Sequence, residues 1–379
     1  FENKGVCAVA LTMGAILTQL STLGLHSANP YYVAKNRKLL PALTGNSLLI
    51  PLLSGAFFSL ACTALFIFEP AIAPFGWNLL LLVFLFVPAN LAFMLLLNLL
   101  VGIQEIRSFN SINILNKVLS FGFIALAVLL GMATPARFMW INIAMIVLCI
   151  VMCIIYLNRF MEKPPLPSLS LFRDSLRFWG KAYTSALMAL LIARSGLLFS
   201  DYMLGHSHAG LFSIANGLIS SMAILPNTIG MIIYPKLCEM KTYSQKLAFT
   251  NKAAAGLLLF LVPVVLVMVF AAEPVIVLLY SKDFASSAKP LLWLLPGFVL
   301  LSLESLYRRT LISDGYRKEI VFAWAGAFVL NIALNLLLTP RMGICGPAAA
   351  YSISLTPITA VTILLVAGSK NRDIEEKTT

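Results

Sequence analysis

Residues 77–102 read WNLLLLVFLFVPANLAFMLLLNLLVG, twenty-six positions without one charged side chain. An apolar run of about 18 residues or more can cross the hydrocarbon of a bilayer as a helix. Ten further stretches read the same way: 6–25, 43–68, 112–132, 137–157, 179–199, 209–234, 248–271, 288–307, 320–338 and 346–368. The chain as a whole is 60% hydrophobic and 11% charged, with a mean hydropathy of +0.92. No water-soluble domain of 379 residues could hide that much apolar surface. The expected fold is an all-α polytopic membrane protein with about eleven transmembrane helices.

The connections carry the orientation. Of the 27 Lys and Arg residues, twenty-one cluster on one side, from Lys35, Arg37 and Lys38 through Arg308 and Arg309 to Lys370, Arg372 and Lys377. Only Lys4, Arg137, Lys282, Lys289 and Arg341 fall on the other, and Arg194 lies within a span. Cytoplasmic loops retain Lys and Arg, so the C-terminus is expected in the cytoplasm and Phe1 outside. The net charge of +12 then reads as topology and attraction to anionic lipid, not as a nucleic-acid surface. The six cysteines stand singly in or beside spans, so neither a disulfide framework nor a zinc site is expected. Cys149 and Cys153, at i and i+4, read as packing residues. No signal peptide is recognisable.

The longest polar break, 158–174, holds Pro164, Pro165 and Pro167, which oppose helix. It suggests an N-terminal helical lobe over 1–158, a cytoplasmic linker over 159–174, a C-terminal lobe over 175–368 and a charged tail over 369–379. An offset of 205 residues relates Gly5, Ala10, Leu20 and Pro30 to Gly210, Ala215, Leu225 and Pro235. Both segments run from outside to inside, as expected of parallel repeats in a transporter. The helix before Gly210 has no counterpart before Gly5. The expectation is two pseudo-symmetric bundles of six transmembrane helices, with the first helix missing from this chain.

Three stretches carry a family resemblance. Leu23-Gly24-Leu25 is followed by Asn29-Pro30-Tyr31. Asp201-Tyr202-Met203-Leu204-Gly205 is followed by Gly210-Leu211-Phe212-Ser213-Ile214-Ala215 and by Tyr234-Pro235-Lys236-Leu237. Asn331 and Asn335 precede Pro340, Gly343, Gly346 and Ala348–Ala350. Together they resemble the polysaccharide transporter, or O-antigen flippase, family of the multidrug/oligosaccharidyl-lipid/polysaccharide exporter superfamily, over about Gly5 to Gly368. Phe212 departs from the usual Tyr. The resemblance implies a non-enzymatic flippase of the bacterial inner membrane without a cofactor. Its cargo would be an undecaprenyl-diphosphate-linked sugar unit for O-antigen, capsule or exopolysaccharide. Polysaccharide polymerase and chain-length proteins are implied partners.

Such a cargo needs a wet, cationic path, because stripping water from charged and hydroxyl groups is costly. Arg194 is the leading candidate: an Arg at mid-span costs about 2.5–3.5 kcal/mol on insertion scales, and its fork suits phosphate oxygens. Tyr183 and Asp201 fall within about 20° of it on the helical wheel. The competing reading has Arg194 snorkelling outward or pairing with Asp201. Asp201 is expected in a structural role, at a helix end or pairing with Arg, with cation coupling (H+ or Na+) as the other possibility. Lys117, in a polar stripe with Asn110 and Asn113, could meet substrate at the inner mouth or simply snorkel. Asn331 and Asn335 could line the cavity, although interhelical hydrogen bonding is the safer expectation. Asn90 and Asn98 are similarly open.

Glu304 and Arg308 read as an ordinary i, i+4 pair. His206 and His208 read as exposed loop residues, and no metal ligand set is found. Prolines 51, 88, 226, 263, 296 and 357 lie inside spans and can kink them. No Walker motif is present, so an ion gradient or removal of the product by downstream assembly would drive transport. A cation-coupled multidrug exporter would want buried carboxylates, whereas the mid-span charge here is positive. A lipid II flippase is a further alternative. A glycosyltransferase would need a larger outer loop than any of these.

Overall fold

The computed structural model describes residues 2–69, 74–132, 134–240, 242–313 and 317–378, apart from the side chains of residues 2, 27, 177–179, 181–182, 235, 238 and 369–378. Phe1, Lys241 and the side chains of Arg177, Trp179, Lys181, Pro235, Lys370, Arg372 and Lys377, all used above, lie outside the described residues. The described residues form thirteen α-helices and no strand: α1 (Glu2–Ser21), α2 (Leu25–Lys35), α3 (Leu40–Phe68), α4 (Trp77–Gly102), α5 (Ile106–Leu129), α6 (Pro135–Asn158) and α7 (Leu169–Leu204). They continue with α8 (His206–Met222), α9 (Ile224–Glu239), α10 (Tyr243–Leu279), α11 (Ala288–Ile312), α12 (Lys318–Met342) and α13 (Cys345–Thr378). Eleven helical segments among them are long and apolar enough to cross a membrane. The chain is an all-α polytopic membrane protein. Helix is the form its backbone must take, because hydrocarbon offers no partner to an open N–H or C=O.

The helices overrun the apolar stretches, since a cap and not hydropathy ends them. α10 begins at Tyr243 because the Thr242 hydroxyl accepts from the Gln245 N–H at 3.4 Å, well before the apolar run at 248. α6 starts likewise at Thr134, which accepts from the Arg137 N–H at 3.3 Å. The first apolar stretch is cut short: Leu23 (φ 48°) and Gly24 (φ 83°) turn left-handed between α1 and α2. α3, α4, α10, α11 and α13 continue through their prolines. The stretch 209–234 instead breaks at Ala223, and Pro226 falls in the first turn of α9, where no intrahelical donor is required.

The chain divides into two compact units, 6–187 and 188–379 joined by 1–5, with the boundary inside α7. In the first unit α4 packs against α2, α3, α5 and α6. Val83, Val87, Leu96, Leu99 and Leu100 of α4 are buried there with Met139, Cys149 and Cys153 of α6. The two cysteines are packing residues, as their spacing suggested. The proline-rich segment is strapped to α3: the Asn46 amide donates to the Ser168 carbonyl at 2.9 Å and accepts from the Ser168 N–H at 2.8 Å. A Cβ on Gly45 would sit 2.6 Å from the Pro167 nitrogen, so only glycine allows this approach.

In the second unit α11 packs against α8, α9, α10 and α13, and α12 packs against α13. The Pro340–Ala350 motif is the hairpin between α12 and α13. Gly343 takes φ 58° to end α12, its N–H donating to the Thr339 carbonyl at 3.0 Å. A Cβ on Gly346 would meet the Thr339 Cα at 2.6 Å, and Ala348, Ala349 and Ala350 are buried, so α13 approaches its neighbours closely. Gly5 and Gly210, paired by the internal repeat, touch each other, and the amide nitrogen of Gly210 would lie 3.2 Å from a Cβ on Gly5.

Candidate functional site

Arg194 lies on α7 inside the membrane span 183–204, half-buried, with no hydrogen bond or ion pair among the described residues. A guanidinium left unpaired within a span is costly. Its chain neighbour fixes it. The Ser195 hydroxyl donates to Asn331 Oδ1 of α12 at 2.5 Å, and Asn331 Nδ2 donates to the Ser354 hydroxyl of α13 at 3.1 Å. Asn335 Nδ2 donates to Asn331 Oδ1 at 3.0 Å and to the Asn331 carbonyl at 2.8 Å. On the next position, a Cβ at Gly196 would meet the Phe212 ring at 2.7 Å. Ser195 and Gly196 therefore lock α7 to α8, α12 and α13. Arg194, one residue and about 100° away, is held on an adjoining face.

Asn331 and Asn335 are both 0% exposed. They occupy the interhelical role and, in this conformation, position the helix that bears Arg194; they do not reach an open cavity. Ser195 and Ser354, which complete the network, were not picked out from the sequence. Nothing in a lone serine marks it, although its place beside Arg194 could have drawn attention to it.

Asp201 does not pair with Arg194. Two helical turns separate them along one helix, whereas Gly205, at φ 90°, folds the chain back so that His206 Nδ1 lies 2.5 Å from Asp201 Oδ1. The helical wheel carried no information about that return turn. His206 and His208 accordingly belong to the first turn of α8 and not to a loop. His206 is half-buried against Asp201, and His208 Nδ1 lies 2.8 Å from the Leu204 carbonyl. Among the described residues no three His, Cys, Asp or Glu side chains gather as a metal site.

Of the remaining candidates, Tyr183, Lys117 and Asn90 belong to the other compact unit from Arg194. Tyr183 belongs to the first unit, where its hydroxyl donates to the Leu20 carbonyl at 2.8 Å and satisfies the end of α1. Lys117 is exposed on α5 between exposed Ile114 and Phe121, a setting in which a lysine stem lies along apolar surface with its head in water. Asn90 Nδ2 donates to the Thr18 hydroxyl at 3.3 Å, tying α4 to α1. Glu304 differs from the surface pair its spacing suggested. It is 0% exposed, and Arg308 Nε lies 3.0 Å from Oε1 and 3.2 Å from Oε2.

The family model described as "Polysaccharide biosynthesis protein" matches residues 2–289. No curated protein matches the chain. Among solved structures, an inward-facing multidrug resistance MATE family transporter of the MOP superfamily is similar with a TM-score of 0.71 and 16% identity, over 99% of this chain and 92% of its own. A MOP superfamily transporter from Pyrococcus furiosus, described as having a binding pocket of reverse polarity, gives 0.62 and 14%, over 97% and 87%. The lipid II flippase MurJ in an inward closed conformation gives 0.59 and 16%, over 95% and 87%. At these identities the likeness is one of fold.

Proposed function

The chain belongs to the polysaccharide biosynthesis protein family, and from that premise we propose that it flips a lipid-linked oligosaccharide across the bacterial inner membrane. The cargo is an undecaprenyl-diphosphate-linked repeat unit destined for O-antigen, capsule or exopolysaccharide. It passes from the cytoplasmic to the periplasmic leaflet by alternating access between two helical lobes. No bond is made or broken, and the C-terminus is cytoplasmic. Downstream, the polymerase and chain-length proteins receive the product.

The observation that carries this reading is the unpaired, half-buried guanidinium of Arg194 within a span. A diphosphate offers the oxygens its fork would engage. Asn331 and Asn335 support this by locking Ser195, and Lys117 serves the cargo at the inner mouth. An H+ or Na+ gradient supplies the energy, and Asp201 with His206 is the titratable pair on which protons would act. Cation-coupled multidrug export, the reading suggested by likeness to a multidrug resistance MATE family transporter, fits less well, because Arg194 would repel a cationic drug.

The test is chemical. In a strain lacking this protein, the undecaprenyl-diphosphate-linked oligosaccharide should accumulate with its sugar facing the cytoplasm, identified by mass spectrometry after extraction. Normal surface glycan and no accumulated lipid-linked sugar would overturn the proposal.

A further inference from the structure

α11 ends on two adjacent arginines whose surroundings differ. Arg308 holds the buried carboxylate of Glu304, engaging both oxygens through Nε. Arg309 makes no hydrogen bond or ion pair among the described residues, and its Nε is shut away from solvent without a partner. Its guanidinium lies against Gly230 of α9, where a Cβ would stand 2.9 Å from Cζ and 3.0 Å from a terminal nitrogen. Glycine at 230 is what leaves room for the group. The rest of the side chain is only half-buried, so the terminal nitrogens remain approachable.

Among the described residues, the groups near enough to act electrostatically on Arg309 are Arg308, Tyr234 and Glu304. Both oxygens of Glu304 are already engaged by Arg308, and Arg308 itself repels a second guanidinium. A partly desolvated cation beside a like charge, with no free anion among the described residues, is unfavourable unless a further anion reaches it. Arg309 stands three residues from the end of α11 at Ile312, at the border of a span. The anion abundant at that depth is lipid phosphate.

We propose that Arg309, seated against Gly230, is a binding site for the phosphate of a lipid, engaged by the two terminal nitrogens in a fork. The phosphate chemistry stands on Arg309 and Gly230 alone; naming the cargo as its source rests on the flippase reading. In that case the site receives the diphosphate from the cytoplasmic leaflet before it reaches Arg194.

The experiment titrates the purified full chain in detergent with undecaprenyl diphosphate and, separately, with phosphatidylglycerol, and reads binding by native mass spectrometry. Wild type, Arg309→Gln, Arg309→Lys and Gly230→Ala are compared, with unfolding midpoints confirming that each variant is folded. Arg309→Gln should weaken binding about tenfold or more, the weight of a charge-assisted hydrogen-bonded pair. Arg309→Lys should fall between, and Gly230→Ala should weaken binding with the charge intact. A loss confined to undecaprenyl diphosphate assigns the site to cargo. A loss confined to phosphatidylglycerol keeps the lipid-phosphate site while removing its link to the flippase reading. Unchanged affinity of folded Arg309→Gln for both lipids, or no binding of either by wild type, overturns the proposal. Where wild type still binds undecaprenyl diphosphate, the flippase reading survives that failure.

Discussion

Replacing Asn331 with Ala removes the centre of the network beside Arg194. Three side-chain hydrogen bonds disappear: from Ser195 at 2.5 Å, from Asn335 at 3.0 Å and to Ser354 at 3.1 Å. Each partner keeps a local alternative: Ser195 to the Ile192 carbonyl at 3.0 Å, Asn335 to the Asn331 carbonyl at 2.8 Å, and Ser354 to the Tyr351 carbonyl at 2.9 Å. No partner is left wholly unsatisfied, so the loss is the sum of these three bonds, two between helices and one within α12, and not a full desolvation penalty. At about 0.6 kcal/mol for each such bond in a membrane protein, Asn331→Ala should destabilise by about 2 kcal/mol. The assay is equilibrium unfolding in mild detergent, combined with Ser354→Ala in a double-mutant cycle. The cycle should show a coupling of about 0.5–1 kcal/mol. Flipping should also fall, because α7 is no longer pinned next to Arg194. Wild-type stability in the single variant, or strict additivity in the cycle, would refute the claim that this network holds α7 in place.

Two further outcomes follow from the buried charges and the half-buried imidazole. Glu304→Ala should cost more than the few tenths of a kcal/mol of a surface i, i+4 pair, because the carboxylate is fully buried and its removal strips Arg308 of a partner; unfolding midpoints check this. Burial pushes the His26 imidazole below its ordinary value, and its Nδ1 has no partner. The unfolded chain therefore takes up the proton more readily, and stability present above about pH 6.5 is lost as pH falls through that value toward the folded one. Unfolding midpoints at pH 8 and pH 5 should differ less in His26→Gln than in wild type.

Fold class and span count were legible because the hydrocarbon core imposes one requirement on every span, a long apolar helix. Helix ends were less so: α10 is set by Thr242, a cap that hydropathy does not weigh. Arg194 drew attention in the sequence because a charge inside a span stands out against its surroundings, and the structure leaves it without a partner among the described residues. The pairing of Asp201 with His206 depends on a left-handed glycine between two helices, and wheel geometry stops at a helix end. Tyr183 looked like a neighbour of Arg194 by rotation, yet its hydroxyl is held by the end of α1, a contact between residues 163 positions apart. Glu304 shows the same limit: spacing identified its partner and could not say that the carboxylate is buried.

The most direct measurement places the purified protein in liposomes with undecaprenyl-diphosphate-linked oligosaccharide in one leaflet. An impermeant sugar-binding probe then follows its appearance in the other. Wild type should equilibrate the two leaflets, Arg194→Ala should leave the sugar where it started while folding normally, and Arg194→Lys should recover part of the rate. Equal transfer by wild type and Arg194→Ala, or no transfer by wild type, would contradict the account.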